Sequence, residues 1–124
     1  MRRGGSVVNA TPRPPSGSAA RPIEYVCVAR VADVAPGQVA LVRAGERAYA
    51  LANVDGQFYA LDNNCPHNGG PLGKGTLDGR TLTCPWHGWR WDVTSGQNCW
   101  PGTAWRAPRV PVRIVGDEVH LPVL

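Results

Sequence analysis

Two short segments of the chain each carry one cysteine and one histidine. The first runs Cys-Pro-His from Cys65 to His67, the second runs Cys-Pro-Trp-His from Cys84 to His87, and sixteen residues separate them. Two thiolates and two imidazoles can bind a pair of irons bridged by sulfide, with the thiolates on one iron and the imidazoles on the other. The same four side chains are also a common donor set for a single structural zinc ion. The residue types therefore predict a metal centre.

The distribution of the four donors favours the binuclear iron centre. Structural zinc sites usually pair cysteine with cysteine and histidine with histidine, whereas here each segment supplies one ligand of either kind. A catalytic Cys/His pair is a third interpretation, but proline follows both cysteines and neither pair has a recognisable third residue to orient the histidine. We therefore predict that Cys65, His67, Cys84 and His87 hold a [2Fe-2S] cluster, with zinc as the alternative.

Proline and glycine are expected to shape both segments into short, stiff loops. Each proline removes a backbone donor and biases the cysteine before it toward extended conformations, while glycine permits positive φ and close approach of the main chain. Backbone N–H groups in such turns can point at cluster sulfurs. The residues expected to surround the cluster are Pro66, Gly69, Gly70, Leu72, Pro85, Trp86, Gly88 and Trp89.

With these motifs, the chain from about Ile23 to Leu124 resembles a Rieske [2Fe-2S] ferredoxin domain of the soluble kind that serves bacterial oxygenases and related reductases. The resemblance rests on the nine residues from Cys65 to Gly73 and the six residues from Cys84 to Trp89. It implies one cluster per chain. It also implies a one-electron carrier that takes electrons from a reductase and passes them to a ring-hydroxylating oxygenase or a nitrite-reductase-like enzyme.

The other motifs bear on whether the chain is a carrier or a complete oxygenase. An oxygenase needs a second, mononuclear iron held by two further histidines and a carboxylate, and only His120 remains. Neither a G-x-G-x-x-G between a strand and a helix nor a P-loop is present. We expect an electron-transfer component without a substrate site of its own, and His120 as an exposed structural residue. A permanently bound subunit or a redox-sensing module of a larger oxidoreductase is the alternative.

The resemblance also bears on the reduction potential. High-potential relatives of respiratory and photosynthetic complexes carry an extra cysteine in each loop, paired as a disulfide, and a serine and a tyrosine whose hydroxyls donate to the cluster. This chain has Gly70 and Trp86 at the cysteine positions, and Trp89 and Trp91 at the hydroxyl positions. We therefore predict a potential at the low end of the Rieske range, unless an indole N–H reaches a sulfur.

Charge and composition divide the chain into two parts. The 124 residues are enough for one domain, which we place at residues 23–124. Residues 1–22 are rich in Gly, Pro, Ser and Arg and predict a disordered leader, or else a docking arm that orders on a partner. Four arginines in this leader account for the whole net charge of +4, since nine basic and nine acidic residues balance in the remainder.

This charge distribution gives no support for a nucleic-acid partner, because the basic excess is confined to the leader. Although Arg2-Arg3 resembles the start of a twin-arginine export signal, no apolar segment of the necessary length follows it. We therefore expect neither export nor a membrane anchor, and a cytoplasmic location.

From Glu24 onward, short apolar runs separated by turn signals are typical of antiparallel sheet. The predicted strands are Ile23–Val31, Gln38–Val42, Arg47–Asn53, Gln57–Asp62, a hairpin centred on Asp78-Gly79, Trp89–Val93, Val110–Val115 and Glu118–Val123. We predict no helix. The expected fold is all-β: a small antiparallel β-sandwich or barrel with a cluster-binding subdomain of two hairpin loops, the Rieske fold.

Two cysteines and several tryptophans lie outside the proposed ligand set. Cys27 and Cys99 are expected to be free, partly buried thiols, with Cys27 in the core of the first strand; a disulfide between them is the alternative. Strand alternation places Trp89 and Trp91 on one face, where such large rings are expected to pack in the core. Trp86, between two ligands at a loop tip, is expected to shield the cluster or touch a partner.

Overall fold

The computed structural model describes residues 22–124, so nearly all of the predicted leader lies outside the described residues. The described part of the chain is all-β, which confirms the predicted fold class. Its strands are β1 (Tyr25–Arg30), β2 (Val39–Ala44), β3 (Arg47–Val54), β4 (Gln57–Asp62), β5 (Thr76–Asp78), β6 (Thr81–Thr83), β7 (Arg90–Asp92), β8 (Asn98–Trp100), β9 (Arg109–Val110), β10 (Arg113–Val115) and β11 (Glu118–Pro122). Two single-turn 3-10 helices, Val31–Asp33 and Leu72–Lys74, were not predicted.

These strands form three antiparallel sheets. The first has the order β1-β11-β10, the second β2-β3-β4-β9, and the third β5-β6-β7-β8. Two-residue connections join β3 to β4 and β10 to β11, and positive φ angles at Asp55, Gly56 and Gly116 give these turns the twist that hairpins favour. No helix within residues 22–124 has the length and apolar character needed to span a membrane.

Strand β3 is buried on both of its faces and joins two cores. Tyr49 and Leu51 point into a cluster that includes Val119 and Leu121 of β11, so the first two sheets pack as a sandwich. Ala50 and Ala52 alternate to the opposite face. There they belong to a second cluster with residues of the third sheet and its loops, namely Cys65, Leu72, Leu77, Leu82, Cys84, Trp91 and Val93. The third sheet is thus anchored on the back of β3.

Two sequence predictions fail for local backbone reasons. The single strand predicted over Val110–Val115 is two strands, since β9 pairs with β4 while β10 pairs with β11. Pro111 lies at the break, and a proline cannot donate to a ladder. The second failure concerns Cys27, which is exposed rather than buried.

Strand alternation before the bulge in β1 leaves Cys27 exposed, because its neighbours Val26 and Val28 face the core. Cys27 pairs with His120, but the next registered pair is Ala29 with Val119, so Val28 has no register partner. Val26, Val28 and Ala29 all pack against the sandwich core, whereas Cys27 faces outward. Cys27 and Cys99 are both free thiols, as expected, and both are exposed rather than partly buried.

Candidate metal centre

Each cysteine- and histidine-bearing segment forms a loop. The first loop lies between β4 and β5, and the second lies between β6 and β7 of the third sheet. The first loop follows β4 and is closed by the Cys65 N–H, which donates to the carbonyl of Gly70 over 2.9 Å. The second lies between β6 and β7 and is closed by the Cys84 N–H, which donates to the carbonyl of Trp89 over 2.8 Å. Each loop is therefore pinned at its cysteine by a bond to a residue five positions later. This places both cysteines at the loop bases and both histidines nearer the tips.

The backbone of the second loop is strained at its histidine. His87 has a φ of 68° and the following Gly88 a φ of 76°. Among the described residues, the other non-glycine residue with positive φ is Asp55 of the β3-β4 turn. A non-glycine residue in this region costs on the order of 1 kcal/mol or more, and such strain is frequently found at functional sites. The strained turn directs the His87 side chain away from the core, since that residue is exposed.

The four predicted ligands separate into a buried pair and a more accessible pair. Cys65 and Cys84 have 2% and 1% of their surface exposed and belong to the second core cluster. The rings of His67 and His87 lie with their centroids 5.8 Å apart in an edge-on arrangement. His67 is half-buried and His87 is exposed. The structure thus brings the thiols together inside the domain and the imidazoles together toward its surface.

This separation is unlike a site for a lone ion. A tetrahedral zinc site draws all its donors to one point. Among residues 22–124, one group of three or more histidine, cysteine or acidic side chains has donor atoms within 4.8 Å of one another, and it is Cys27, Glu118 and His120. The four loop donors form no such group. Their arrangement supports a centre with two metal ions.

Two buried polar atoms beside the loops lack hydrogen-bond partners within the described residues. They are Nδ1 of His67 and Nε1 of Trp91. Buried polar groups are seldom left unpaired, and such atoms frequently mark a group that the protein binds. A metal on Nδ1 of His67 and an acceptor sulfur near the Trp91 indole would satisfy both atoms. The residues present therefore fit an iron–sulfur cluster.

The ionisation of the Cys84 thiol also fits a bound cation. Burial raises the pKa of the Cys84 thiol to about 11, and although the N–H of Trp86 opposes this shift, the neighbouring Cys65 raises the pKa further. The chain alone therefore disfavours the thiolate that metal binding requires. A metal ion supplies the compensating positive charge.

Sequence reasoning missed Asn68, which links the two loops. Its Nδ2 lies 2.7 Å from Nδ1 of His87 and donates to the carbonyl of Trp86 over 3.3 Å. Its Oδ1 accepts the Gly70 N–H over 3.0 Å. An asparagine between two glycine-flanked turns is an ordinary loop residue in sequence, so nothing in the pattern distinguishes it. If His87 binds metal through Nδ1, the Asn68 amide must first release the ring.

The residues predicted to surround the cluster occupy both loops, in different environments. Trp89 stacks on the His67 ring with centroids 3.9 Å apart and planes within 5°. Leu72 is fully buried and packs in the cluster that contains both thiols. Trp86 is half exposed at the tip of the second loop. The remaining members are Pro66 and Gly88, which are half-buried, Gly69 and Pro85, which are exposed, and Gly70, which is buried.

Gly70 has no room for a side chain, which gives a testable prediction. A Cβ at this position would lie 2.7 Å from the Cys84 sulfur and 3.1 Å from the Trp86 side chain. We expect Gly70→Ala to destabilise the protein by about 1–3 kcal/mol, as overpacking does. We also expect it to reduce iron content sharply, because it displaces a predicted ligand. Iron per chain and the urea midpoint are the measurements.

Gly73→Ala is the matched control for this variant. Its Cβ would meet the Leu41 Cα at 2.7 Å, which is equally crowded but not against a thiol. Gly73→Ala should lose stability and keep its iron. Equal iron content in the two variants would contradict the role assigned to Gly70.

The reduction potential at the low end of the Rieske range stays a prediction. The range runs from about −150 to +300 mV, and hydrogen bonds to the sulfurs raise the value. The buried, unpartnered Nε1 of Trp91 is the donor whose direction decides the outcome. An anaerobic redox titration measures the midpoint. A value well above zero would contradict the prediction.

Comparison with known proteins gives an independent result. A sequence model described as the Rieske [2Fe-2S] domain matches residues 24–110. The ferredoxin component of the naphthalene 1,2-dioxygenase/salicylate 5-hydroxylase systems of Ralstonia sp is 36% identical over 98 residues, which cover 78% of this chain and 93% of that protein. In the solved complex of reduced oxygenase and oxidized ferredoxin of carbazole 1,9a-dioxygenase, one chain matches with a TM-score of 0.73 and 30% identity. That match covers 79% of this chain and 92% of the solved chain.

Another relative is much longer than this chain. Apoptosis-inducing factor 3 of Mus musculus is 39% identical over 69 residues, which cover 56% of this chain. The chain spans only 11% of that protein's length. The same kind of domain therefore occurs alone in one relative and as a small part of another.

Proposed function

Because the chain belongs to the Rieske [2Fe-2S] domain family, we propose that it is a one-electron carrier whose cluster is held by Cys65, His67, Cys84 and His87. When bound, the cluster supplies reversible one-electron chemistry, at a potential that imidazole ligation raises above that of an all-cysteine centre. The observation that carries the proposal is the placement of the four donors. Two thiols lie together inside the core, and two imidazoles lie together nearer the surface.

The residues around the four donors each contribute to the proposed cluster site in a different way. Burial of Cys65 and Cys84 among apolar side chains keeps water from the thiolate side. The backbone bond that closes each loop fixes the conformation of that loop around its cysteine before any ion binds. Stacking of Trp89 on His67 holds that ring in one orientation. His87, exposed at the second loop, gives a partner its nearest approach to the centre.

We propose a reductase as the electron donor and an oxygenase as the acceptor. Support comes from the Ralstonia ferredoxin component, which serves a dioxygenase and hydroxylase system, and from a solved oxygenase–ferredoxin complex. A nitrite-reductase-like enzyme is the other electron acceptor that we propose. The free thiols of Cys27 and Cys99 support a reducing, cytoplasmic location, because disulfides are rare in that compartment.

The second candidate function is a Rieske module fixed within a larger oxidoreductase or serving as a redox sensor. The match to one tenth of apoptosis-inducing factor 3 favours it. Purification distinguishes the two. A free carrier purifies alone, accepts electrons from a ferredoxin reductase and supports oxygenase turnover at catalytic amounts. Stoichiometric copurification with a larger oxidoreductase, and no reduction by an added reductase, would contradict the carrier.

Trp86 gives a prediction about the docking surface. It is 51% exposed, lies beside His87 and offers a large apolar ring where an acceptor must approach. Exposed tryptophans at interface centres often contribute more than 1 kcal/mol to binding. We expect Trp86→Ala to raise the dissociation constant for the acceptor oxygenase by about tenfold or more, with iron content unchanged. Titration calorimetry or stopped-flow electron transfer measures the effect.

Trp100→Ala is the matched control, because Trp100 is equally exposed at 51% but lies on β8, outside both loops. We expect it to bind the acceptor as the unmodified protein does. If both variants bind with unchanged affinity, the assignment of the second loop as the docking surface is wrong.

A further inference from the structure

A second set of metal-binding side chains lies on the sheet formed by β1, β11 and β10, away from the cysteine–histidine loops. Cys27 of β1 is the register partner of His120 of β11, and Glu118 lies two residues before His120 on the same strand. Residues two apart on a strand share a face, so all three side chains project from one side of the sheet. One donor atom from each lies within 4.8 Å of the others. None of these residues belongs to the proposed cluster site.

The distances already approach those of a tetrahedral metal site. Nε2 of His120 and Oε1 of Glu118 are 2.9 Å apart. Two donors that are each about 2.0 Å from a tetrahedral zinc ion lie about 3.3 Å from one another. A small opening of the histidine–glutamate pair would therefore admit an ion. The Cys27 sulfur makes only a weak contact with the Ala29 carbonyl, at 3.6 Å, and is free to turn toward the pair.

The two neighbouring arginines do not occupy the donor atoms of this group. Arg30 is the register partner of Glu118, but its guanidinium bonds to Asp117 at 2.5 Å. Arg113 is the register partner of His120 on the other side, and its guanidinium lies over the Tyr25 ring, 3.7 Å from the centroid. Both arginines are thus held by other groups. The carboxylate of Glu118 keeps His120 as its partner.

The bulge in β1 lies directly beside this group. Without the extra residue at Val28, alternation would still place Cys27 outward, but the register between Cys27 and His120 is followed at once by a shift of one residue. The shift brings Arg30, rather than Ala29, opposite Glu118. Only 20% of the His120 side chain is accessible, so the prediction that His120 is exposed is wrong: its pairing in the middle of the sheet leaves it half-buried. Cys27 is exposed, and 38% of the Glu118 side chain is accessible. The group is therefore open to an ion from solvent.

We propose that Cys27, Glu118 and His120 bind one zinc-type divalent cation. Thiolate, imidazole and carboxylate are all ligands that zinc accepts, and three protein ligands with a water in the fourth position are a common arrangement. On binding, the Cys27 thiol gives its proton to solvent as the sulfur–metal bond forms. The ion would cross-link β1 to β11. Because it binds only the folded protein, it would stabilise the folded state by mass action.

The test measures alkylation of the cysteines in the iron-loaded protein, under anaerobic conditions, as zinc is added. Iodoacetamide labelling is read at each cysteine by mass spectrometry. At a free zinc concentration ten times the Kd, the unbound fraction falls about elevenfold, and the labelling rate of Cys27 should fall with it. Cys99 is the internal control, because it is the other exposed thiol and joins no such donor group within residues 22–124.

Three variants complete the test. Cys27→Ala should lose the bound zinc ion, whereas Cys99→Ala should retain it. Glu118→Gln together with His120→Gln should remove the zinc protection of Cys27 while the visible absorbance of the iron-loaded protein stays unchanged. Labelling of Cys27 that is insensitive to zinc would overturn the proposal. So would zinc uptake that occurs only with loss of iron, since that would place the ion at the cysteine–histidine loops.

Discussion

Cys84→Ala protein is expected to purify without colour and without iron. Cys84 is one of only two buried thiols in the proposed site, and alanine offers no donor in its place. Iron–sulfur clusters depend on each of their four protein ligands, so removal of one should abolish incorporation rather than weaken it. Iron and acid-labile sulfide per chain, measured after anaerobic reconstitution, are the readouts. Cys65→Ala should behave in the same way.

Cys99→Ala and Cys27→Ala are the controls for this loss. Both thiols are exposed and free, and neither belongs to the proposed ligand set. Each variant should retain full iron content. The fold of Cys84→Ala is verified separately by its β-type circular dichroism. A folded Cys84→Ala protein that carries the full complement of iron would contradict the assignment of Cys84 as a ligand.

Trp91→Ala is expected to cost about 3–5 kcal/mol of unfolding free energy. Trp91 is 0% exposed and lies at the centre of the core that also contains Cys65 and Cys84. The free energy of unfolding of a typical domain is about 5–15 kcal/mol, so this single substitution removes much of the stability. A urea denaturation curve should show its midpoint lowered by about 2 M. Iron retention should fall too, because Cys65 and Cys84 lose the side chain that packs with them in the same core.

The control for Trp91→Ala is Trp100→Ala, which removes the same ring from a half-exposed position. We expect a much smaller change in the urea midpoint and unchanged iron content. Comparable destabilisation by the two variants would show that burial of Trp91 does not explain its contribution.

The two loops that carry the proposed ligands were predictable from sequence because the residues that form each loop lie close together in the chain. Each loop closes through a bond between residues five positions apart, so the donors and the glycines that allow the turn lie within one short segment. The β3-β4 hairpin was equally local, since Asp55-Gly56 supplies the positive φ angles that its turn needs. Such features require no knowledge of distant contacts.

The failures depend on contacts that sequence patterns do not contain. Alternation predicted Cys27 in the core with Tyr25 and Ala29, but the alternate residues Val26 and Val28 face the core, and the bulge after Cys27 turns only Ala29 inward. The link made by Asn68 joins residues 18 and 19 positions apart, which no local pattern reveals. The group of Cys27, Glu118 and His120 likewise depends on pairing of the first strand with the last.

Electron paramagnetic resonance of the dithionite-reduced protein, with iron counted on the same sample, tests the central claim most directly. The account predicts two irons and two sulfides per chain, and a paramagnetic reduced state from one binuclear centre with mixed sulfur and nitrogen ligands. Nitrogen couplings from two histidines should accompany this signal, and His67→Ala and His87→Ala should each lose the signal together with the iron. A reconstituted protein that is colourless, silent in the reduced state and bound to one zinc ion at these loops would contradict it.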